Sequence, residues 1–407
     1  QVGASDKISG DALLARNQAL ANGVDIQPFE DGAVLSLGVV VDALLGTGLG
    51  GDVRGDYLEA ITEVNAAGTS VVAVDIPSGL CADTGRVLGQ AIKADMTVTF
   101  IGLKRGLFAL EAMDYTGDLQ FADLSVPSEV YQQVPADCHR LELELLLEEL
   151  RPRPATAHKG MYGTVLVIGG DYGMAGAAAM AAEAALRCGA GLVKVATRPE
   201  HVSALVARAP EVMPLGVESG DELEPLLASA DVLVVGPGLG QSPWSEYLLQ
   251  AAVASGKPMV LDADGLNMLA GGKVKARDGM IITPHPGEAG RLLSCSTAEV
   301  QADRFAAARA LQQQTGAVVV LKGNGSLIAG DGQLLLSDYG NPGMATGGMG
   351  DVLGGVIASL LAQGLEPVAA SALGVCLHGA AGDIAAEEGM RGLLATDLIP
   401  WLRELLG

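Results

Sequence analysis

Residues 341–355 read Asn-Pro-Gly-Met-Ala-Thr-Gly-Gly-Met-Gly-Asp-Val-Leu-Gly-Gly, and six of the fifteen are glycine. An apolar helical run (Val356, Ile357, Leu360, Leu361) follows directly. A glycine-dense loop that feeds a helix presents bare backbone N–H groups and the positive end of the helix dipole, an anion site suited to phosphate. Asp351 stands at the start of that helix. From this stretch alone it either caps the helix or takes a proton from a hydroxyl while the glycine amides hold a moving phosphoryl group.

Upstream, apolar runs at 164–168, 191–197, 231–235, 259–262, 279–282 and 317–322 read as strands, with helical patterns between most of them. Such alternation predicts a mainly parallel sheet covered on both faces. Five of these predicted strands end in unusual residues: Gly169-Gly-Asp171, Gly236-Pro-Gly-Leu-Gly240, Asp262-Ala-Asp264, Thr283-Pro-His285-Pro-Gly-Glu288 and Lys322-Gly-Asn-Gly-Ser326. In a parallel sheet these ends share one edge with the 341–355 loop, which predicts a binding crevice there. Lys322 with its small neighbours suits nucleotide phosphates, or is a solvated turn. His285, between two prolines, is rigidly placed and either aims at a ligand or packs. Glu288 faces the water shell of Mg²⁺, which keeps most of its waters when bound, or caps a helix. Asp262 and Asp264 touch a ribose or metal, or only cap. His139 and His201 read as surface residues and His378 as core, while His158 is undecided.

Towards the N-terminus, 141–150 reads as an acidic leucine-rich helix broken by Arg151-Pro-Arg-Pro154, a stiff connection. The predicted organisation is a first domain at 1–140, a linker at 141–157 and a second domain at 158–407. In the first domain residues 11–23 read as a helix. A strand at 35–45 ends in Asp42-Ala-Leu-Leu-Gly-Thr-Gly-Leu-Gly-Gly-Asp52, and a strand at 70–76 in Asp75-Ile-Pro-Ser78. Strand-end carboxylates beside a hydroxyl suggest a small polar or cationic site; the plainer reading is that Asp42 and Asp75 tie down turns.

The whole composition agrees with an α/β protein: 56 glycines, 3% aromatics and 49% hydrophobic residues favour close-packed parallel sheets. A formal net charge of −23 argues against nucleic acid or an anionic membrane as partner. The five cysteines lie far apart without a C-x-x-C pair, which makes a reducing cytoplasm the default compartment. No run is long and charge-free enough to promise a membrane span.

Taken together, Gly-Gly-Met-Gly350-Asp351, Thr-Pro-His285-Pro-Gly-Glu288, Gly-Pro-Gly-Leu-Gly240, Leu-Asp-Ala-Asp264-Gly-Leu-Asn and His-Lys-Gly160 resemble the ADP-dependent NAD(P)H-hydrate dehydratases, over residues 150–407. Val-Asp42-Ala-Leu-Leu-Gly-Thr-Gly and Val-Asp75-Ile-Pro-Ser78-Gly resemble the NAD(P)H-hydrate epimerases, so the whole is similar to the bifunctional nicotinamide-nucleotide repair family. The resemblance implies a C-terminal ribokinase-like domain preceded by a partial Rossmann-like α/β domain. It implies ADP held by Lys322, Gly323, Asn324, Gly325, Ser326 and Gly350, with Mg²⁺. Ala177, Gly238, His285 and Asp351 would contact the hydrated nucleotide, and Asp351 would be catalytic. In the epimerase domain Asp42 and Ser78 would ligate K⁺, while Gly46, Thr47, Gly48, Leu49, Gly50, Gly51, Asp52 and Asp75 would face substrate. A homo-oligomer is expected. The family's opening strand and Asn-Asn-Gly-Gly-Asp-Gly loop have no counterpart in this sequence, so the epimerase half is expected to be impaired. Two rivals remain at this stage: a small-molecule kinase, whose family shares the G-x-G-D loop but usually carries Asn in place of His285, and a nucleotide-binding sensor without chemistry.

Overall fold

The computed structural model describes residues 1–3, 5–30 and 38–407. The chain forms two compact units, 1–135 and 136–407. The first unit holds a four-stranded, fully parallel sheet in the order β1 (Val39–Asp42), β2 (Ser70–Val74), β3 (Met96–Phe100), β4 (Asp118–Ala122). Of the predicted strand at 35–45, residues 39–42 form β1 and 43–45 are not strand, while residues 35–37 lie outside the described residues. β4, with an apolar residue only at every second position, escaped the sequence reading. The Asp56–Ala67 helix connects β1 to β2 and buries Ile61 and Val64 against Val71 and Ile92. The helix expected at 11–23 runs Gly10–Ala21 and leaves Leu13, Leu14 and Leu20 exposed.

The second unit is built on a ten-stranded sheet. Its strands are β5 (His139–Arg140), β6 (Thr164–Ile168), β7 (Leu192–Thr197), β8 (Met213–Gly216), β9 (Val232–Val235), β10 (Met259–Leu261), β11 (Met280–Ile282), β12 (Val318–Leu321), β13 (Ser326–Gly330) and β14 (Gln333–Ser337). The order is β5-β14-β13-β12-β11-β10-β9-β6-β7-β8. Every pair from β12 through β8 is parallel, and only β13 departs, pairing antiparallel with β12 and β14. Consecutive residues of β6, β9, β10 and β12 are all buried, as strands covered on both faces require.

The predicted domain boundaries need correction here. His139 and Arg140 pair with Leu335 and Leu336 as an edge strand, and Leu141 and Leu143 are buried in the second core. Only Leu143–Leu147 is helical. Arg153 donates to the Gly189 carbonyl at 2.7 Å and lies 3.8 Å from the Tyr162 ring centre. Residues 136–157 are thus packed onto the second unit, and the division falls between Pro135 and Ala136. Alternating proline and charge suggest a stiff connection between domains, but arginine stems and leucines found apolar surface to cover.

On one face of the large sheet the Met349–Ala362 helix lies between the Ala175–Arg187 and Pro367–Ala385 helices. The Pro367–Ala385 helix is apolar and long enough for a membrane span, yet most of it is buried in this core. Glycine makes the close approach possible. A Cβ at Gly355 would stand 2.1 Å from the Ala181 carbonyl oxygen. Gly355→Ala therefore overpacks backbone against backbone, which costs more than the ~1 kcal/mol of helix propensity it gains. We expect a net loss of about 2 kcal/mol, read as a fall of roughly 4–8 °C in Tm. An unchanged Tm would show that the two helices can separate freely.

Candidate active site

The parallel strands β6, β9, β10, β11 and β12 end on one edge of the sheet, and the side chains of the expected crevice gather there. The Met349–Ala362 helix opens on Gly348, whose φ of +94° is open to glycine and strained for other residues. No side chain caps this helix. Asp351 is therefore not the cap: it occupies the third helical position, half-buried, and its carboxylate makes no hydrogen bond among the described residues. A Cβ at Gly350 would lie 3.0 Å from Asp262 Oδ2 and 3.1 Å from Lys322 Nζ. The loop thus faces directly onto a carboxylate and an ammonium.

Lys322, just past β12, donates from Nζ to Asp262 Oδ1 at 2.6 Å and lies 4.0 Å from Glu288 Oε2. Burial disfavours its charge, but Asp262, Glu288 and Asp351 together outweigh burial and raise its pKa. Asp351 moves the other way from an ordinary carboxylate: burial first, then the neighbouring Asp262, push it up to about 7, against the pull of Lys322. A carboxylate poised there can exchange a proton at neutral pH. Asp262 precedes Ala263, which holds a φ of +49°, a conformation an alanine rarely adopts and one that tends to persist at working sites. Asp264 opens the next helix and accepts from the Gly240 amide at 2.8 Å.

His285 and Glu288 form a capping box on the Pro286–Leu293 helix. The His285 Nδ1 accepts from the Gly287 amide at 3.0 Å, and Glu288 accepts from the His285 amide at 2.8 Å. Accepting at Nδ1 leaves Nε2 as the protonated nitrogen of neutral His285, and burial with Lys322 lowers its pKa. Of the two readings of Glu288, the capping role is present. Its charge is disfavoured by burial, so its pKa is raised.

Residues 322–326 form the turn between β12 and the antiparallel β13, pinned from beneath by Arg304. The buried guanidinium donates to the carbonyls of Leu321 and Lys322, each at 3.1 Å, and to that of Asn324. Burial lowers its pKa to about 10. Arg304 was not among the expected site residues; it sits in a helical pattern like any surface arginine. Asp262 was weighed without being given a place, although it touches Lys322 and faces Gly350. Ala177 and Gly238 face one another, with 3.2 Å between the Ala177 Cβ and a Cβ built on Gly238. They join the glycine loop through the Ala175–Arg187 helix, whose Met180 crowds Gly348. His201 differs from its surface reading: half-buried, its Nδ1 lies 3.0 Å from the Gly170 carbonyl oxygen. His378 is buried, as expected of a core residue.

In the first unit Asp42 ends β1 and is buried with Ser78. Asp42 accepts from Ser78 Oγ at 2.6 Å and from the Ser78 amide at 2.7 Å, and the Leu45 carbonyl lies 3.1 Å from the same hydroxyl. Asp75, with a φ of +70°, forms an ion pair with Lys104, and the Phe100 amide donates to it at 3.0 Å. Lys104 was not among the expected site residues. Gly46, Thr47, Gly48, Leu49, Gly50, Gly51 and Asp52 form the loop after β1. A Cβ on any of its four glycines would meet nothing within 4 Å, so the loop backbone is open on its outer side.

This combination of a mainly parallel sheet, a glycine loop opening a helix, and an aspartate beside a lysine defines a ribokinase-like domain. The crystal structure of a ribokinase-like superfamily protein from Enterococcus faecalis is 32% identical and covers 66% of this chain and 95% of its own, with a TM-score of 0.62. An ADP/ATP-dependent NAD(P)H-hydrate dehydratase from Bacillus subtilis, co-crystallised with ATP and Mg²⁺, is 30% identical over 66% of this chain and 97% of its own, with a TM-score of 0.60. The family pattern of NAD(P)H-hydrate dehydratase matches residues 165–403, and that of the YjeF-related protein N-terminus matches residues 2–106. Bifunctional NAD(P)H-hydrate repair enzymes of Coxiella burnetii and Escherichia coli are 49% and 47% identical; each alignment covers 99% of this chain, and 83% and 78% of the relatives. The chain belongs to the bifunctional NAD(P)H-hydrate repair enzymes.

Proposed function

We propose that the second unit converts (6S)-NAD(P)H hydrate to NAD(P)H, using ADP and releasing AMP and phosphate, and that the first unit interconverts the R and S hydrates. The observation that carries the first half is Asp351: a half-buried carboxylate with a pKa near 7, at the mouth of a glycine loop that faces Lys322. Asp351 takes the proton from the C6 hydroxyl of the hydrated ring. That oxygen bonds to the β-phosphorus of ADP as the bond from phosphorus to the AMP oxygen breaks. The amides of residues 347–350 and Lys322 hold the charge on the moving group. The C6–O bond then breaks, phosphate taking the pair while the ring nitrogen supplies electrons to C6. One proton leaves C5 and the ring double bond re-forms. Hydroxide is a poor leaving group and phosphate a good one, which is why a nucleotide is spent.

Among the described residues no group of three His, Cys, Asp or Glu side chains is built to hold a metal ion. Mg²⁺ needs no such cage, because it rides on nucleotide phosphates and keeps its waters. Asp262 and Glu288 are the carboxylates that would face those waters. When bound, Mg²⁺ would offset phosphate charge. In the first unit Asp42, Ser78 and the Leu45 carbonyl bring together the hard oxygens that K⁺ favours, with Asp75 and the 46–52 loop beside substrate. Cys81, Cys188, Cys295 and Cys376 are free thiols, consistent with a reducing cytoplasm.

The test mixes the protein with NADH hydrate, ADP and Mg²⁺ and follows reduced-nicotinamide absorbance together with free phosphate. Matched rises with AMP formed are expected. A stable phosphorylated alcohol without free phosphate would instead mark a kinase, and bound ADP without turnover a sensor. Once the first phase has consumed the S form, continued slow or fast conversion reports the epimerase.

A further inference from the structure

Beyond Gly240 the same sheet edge continues along the ends of β6 and β7. The Asp264 carboxylate holds the Gly240 amide, and a Cβ at Gly240 would stand 3.0 Å from Asp171 Oδ2. Asp171, itself buried, accepts from Arg198 Nε at 2.8 Å and from Ser242 Oγ at 3.1 Å. The Arg198 guanidinium lies 4.1 Å from the Trp244 ring centre and 4.6 Å from that of Tyr172. Trp244 is buried and its ring nitrogen donates to the Val217 carbonyl at 2.8 Å. Tyr172 closes the stack. The residue is 57% exposed, and its hydroxyl donates to Glu200 Oε1 at 3.2 Å. A large aromatic held from beneath by a cation, with the His201 ring edge-to-face against it at 6.2 Å and more than half of the residue still exposed, is preorganised for a flat ligand.

Charge decides which flat ligand. Arg198 is already neutralised by Asp171 and covered by two rings, and the free rim of Tyr172 carries Glu200. Phosphate is therefore disfavoured here, and an uncharged base is favoured. Resting on the dehydratase reading, we propose that Tyr172 is the stacking platform for the adenine of the dinucleotide hydrate, whose nicotinamide end lies at Ala177, Gly238 and Asp351. The platform lies on the β6–β7 side, away from the 322–326 turn, so ADP and the substrate's adenosine occupy opposite ends of the crevice.

The test compares two substrates: NADH hydrate, and the hydrate of reduced nicotinamide mononucleotide, which lacks adenosine. Tyr172→Ala should raise KM for NADH hydrate about tenfold, in the range that loss of one base–aromatic stack produces. Its kcat, its KM for ADP and its kcat/KM on the mononucleotide hydrate should stay at wild-type values, the signature of lost binding remote from the chemistry. Tyr172→Phe, which keeps the ring, should restore KM. Unchanged KM in Tyr172→Ala, or equal losses on both substrates, would overturn the proposal. A wild-type protein inert on both hydrates would instead sink the dehydratase reading, and this inference with it.

Discussion

Asp351→Asn should lower turnover of NADH hydrate about 10³-fold while ADP binds as in the wild type. Asparagine keeps the size and the half-buried position but cannot take a proton. The glycine amides and Lys322, the groups proposed to meet the nucleotide, are untouched, so calorimetric titration with ADP should give an unchanged Kd. Turnover that survives the substitution would remove Asp351 from the role. The wild-type pH profile should agree. As the proposed base, Asp351 must be deprotonated, and its pKa is pushed up to about 7, so kcat/KM should climb with pH on a limb centred near that value and flatten above it. The limb should be missing from the residual activity of the variant.

The same carboxylate has a stability consequence whose sign is fixed by linkage. Its folded-state pKa is raised from the ordinary carboxylate value of 3.8 to about 7, so between those values the folded protein binds more protons than the unfolded chain. Keeping Asp351 charged therefore costs stability that is fully felt above pH 7 and disappears as pH falls towards 4. Asparagine carries no such cost. Asp351→Asn should melt higher than wild type at pH 8.5, and the difference should shrink towards zero by pH 4. A catalytic group held against its preference is a usual source of such a trade between activity and stability.

Much of this was legible because parallel α/β sheets write themselves as apolar runs ending in odd residues. β6, β9, β10, β11 and β12 were all found, with their ends, and the ends made the site. β13 and β14 were not: they form a hairpin behind residues 322–326, and the glycines of that turn suit a phosphate loop or a solvated turn without announcing a hairpin. Arg304 was invisible for a different reason. Its partners are three backbone carbonyls, which no sequence pattern reports. The capping box at His285 and Glu288 was half legible, since Pro at the first helical position and Glu at the third are its written signs. Which nitrogen of His285 accepts needed the fold. The 139–157 segment misled because proline and charge suit both a free connector and a strap lying on a surface; only its leucines hinted at the second.

Lys322→Met should raise KM for ADP by about 10- to 100-fold, the loss of charged hydrogen bonds to phosphate. Methionine replaces the stem with little change in volume, so the turn pinned by Arg304 should keep its shape. The cation itself, however, neutralises Asp262 at 2.6 Å and holds down the pKa of Asp351. Without it Asp351 should titrate higher, and the limb of the kcat/KM profile should move to more alkaline pH. Nucleotide binding and the pH limb are separate measurements, and a cation that only filled space would move neither. The variant should also melt several degrees lower, because the buried Asp262 is left without its partner. Lys322→Met combined with Asp262→Asn removes both charges and should recover most of that Tm while ADP affinity stays low. If ADP binds Lys322→Met as tightly as the wild type, the nucleotide does not meet this lysine. The 322–326 turn would then lose its assigned ligand.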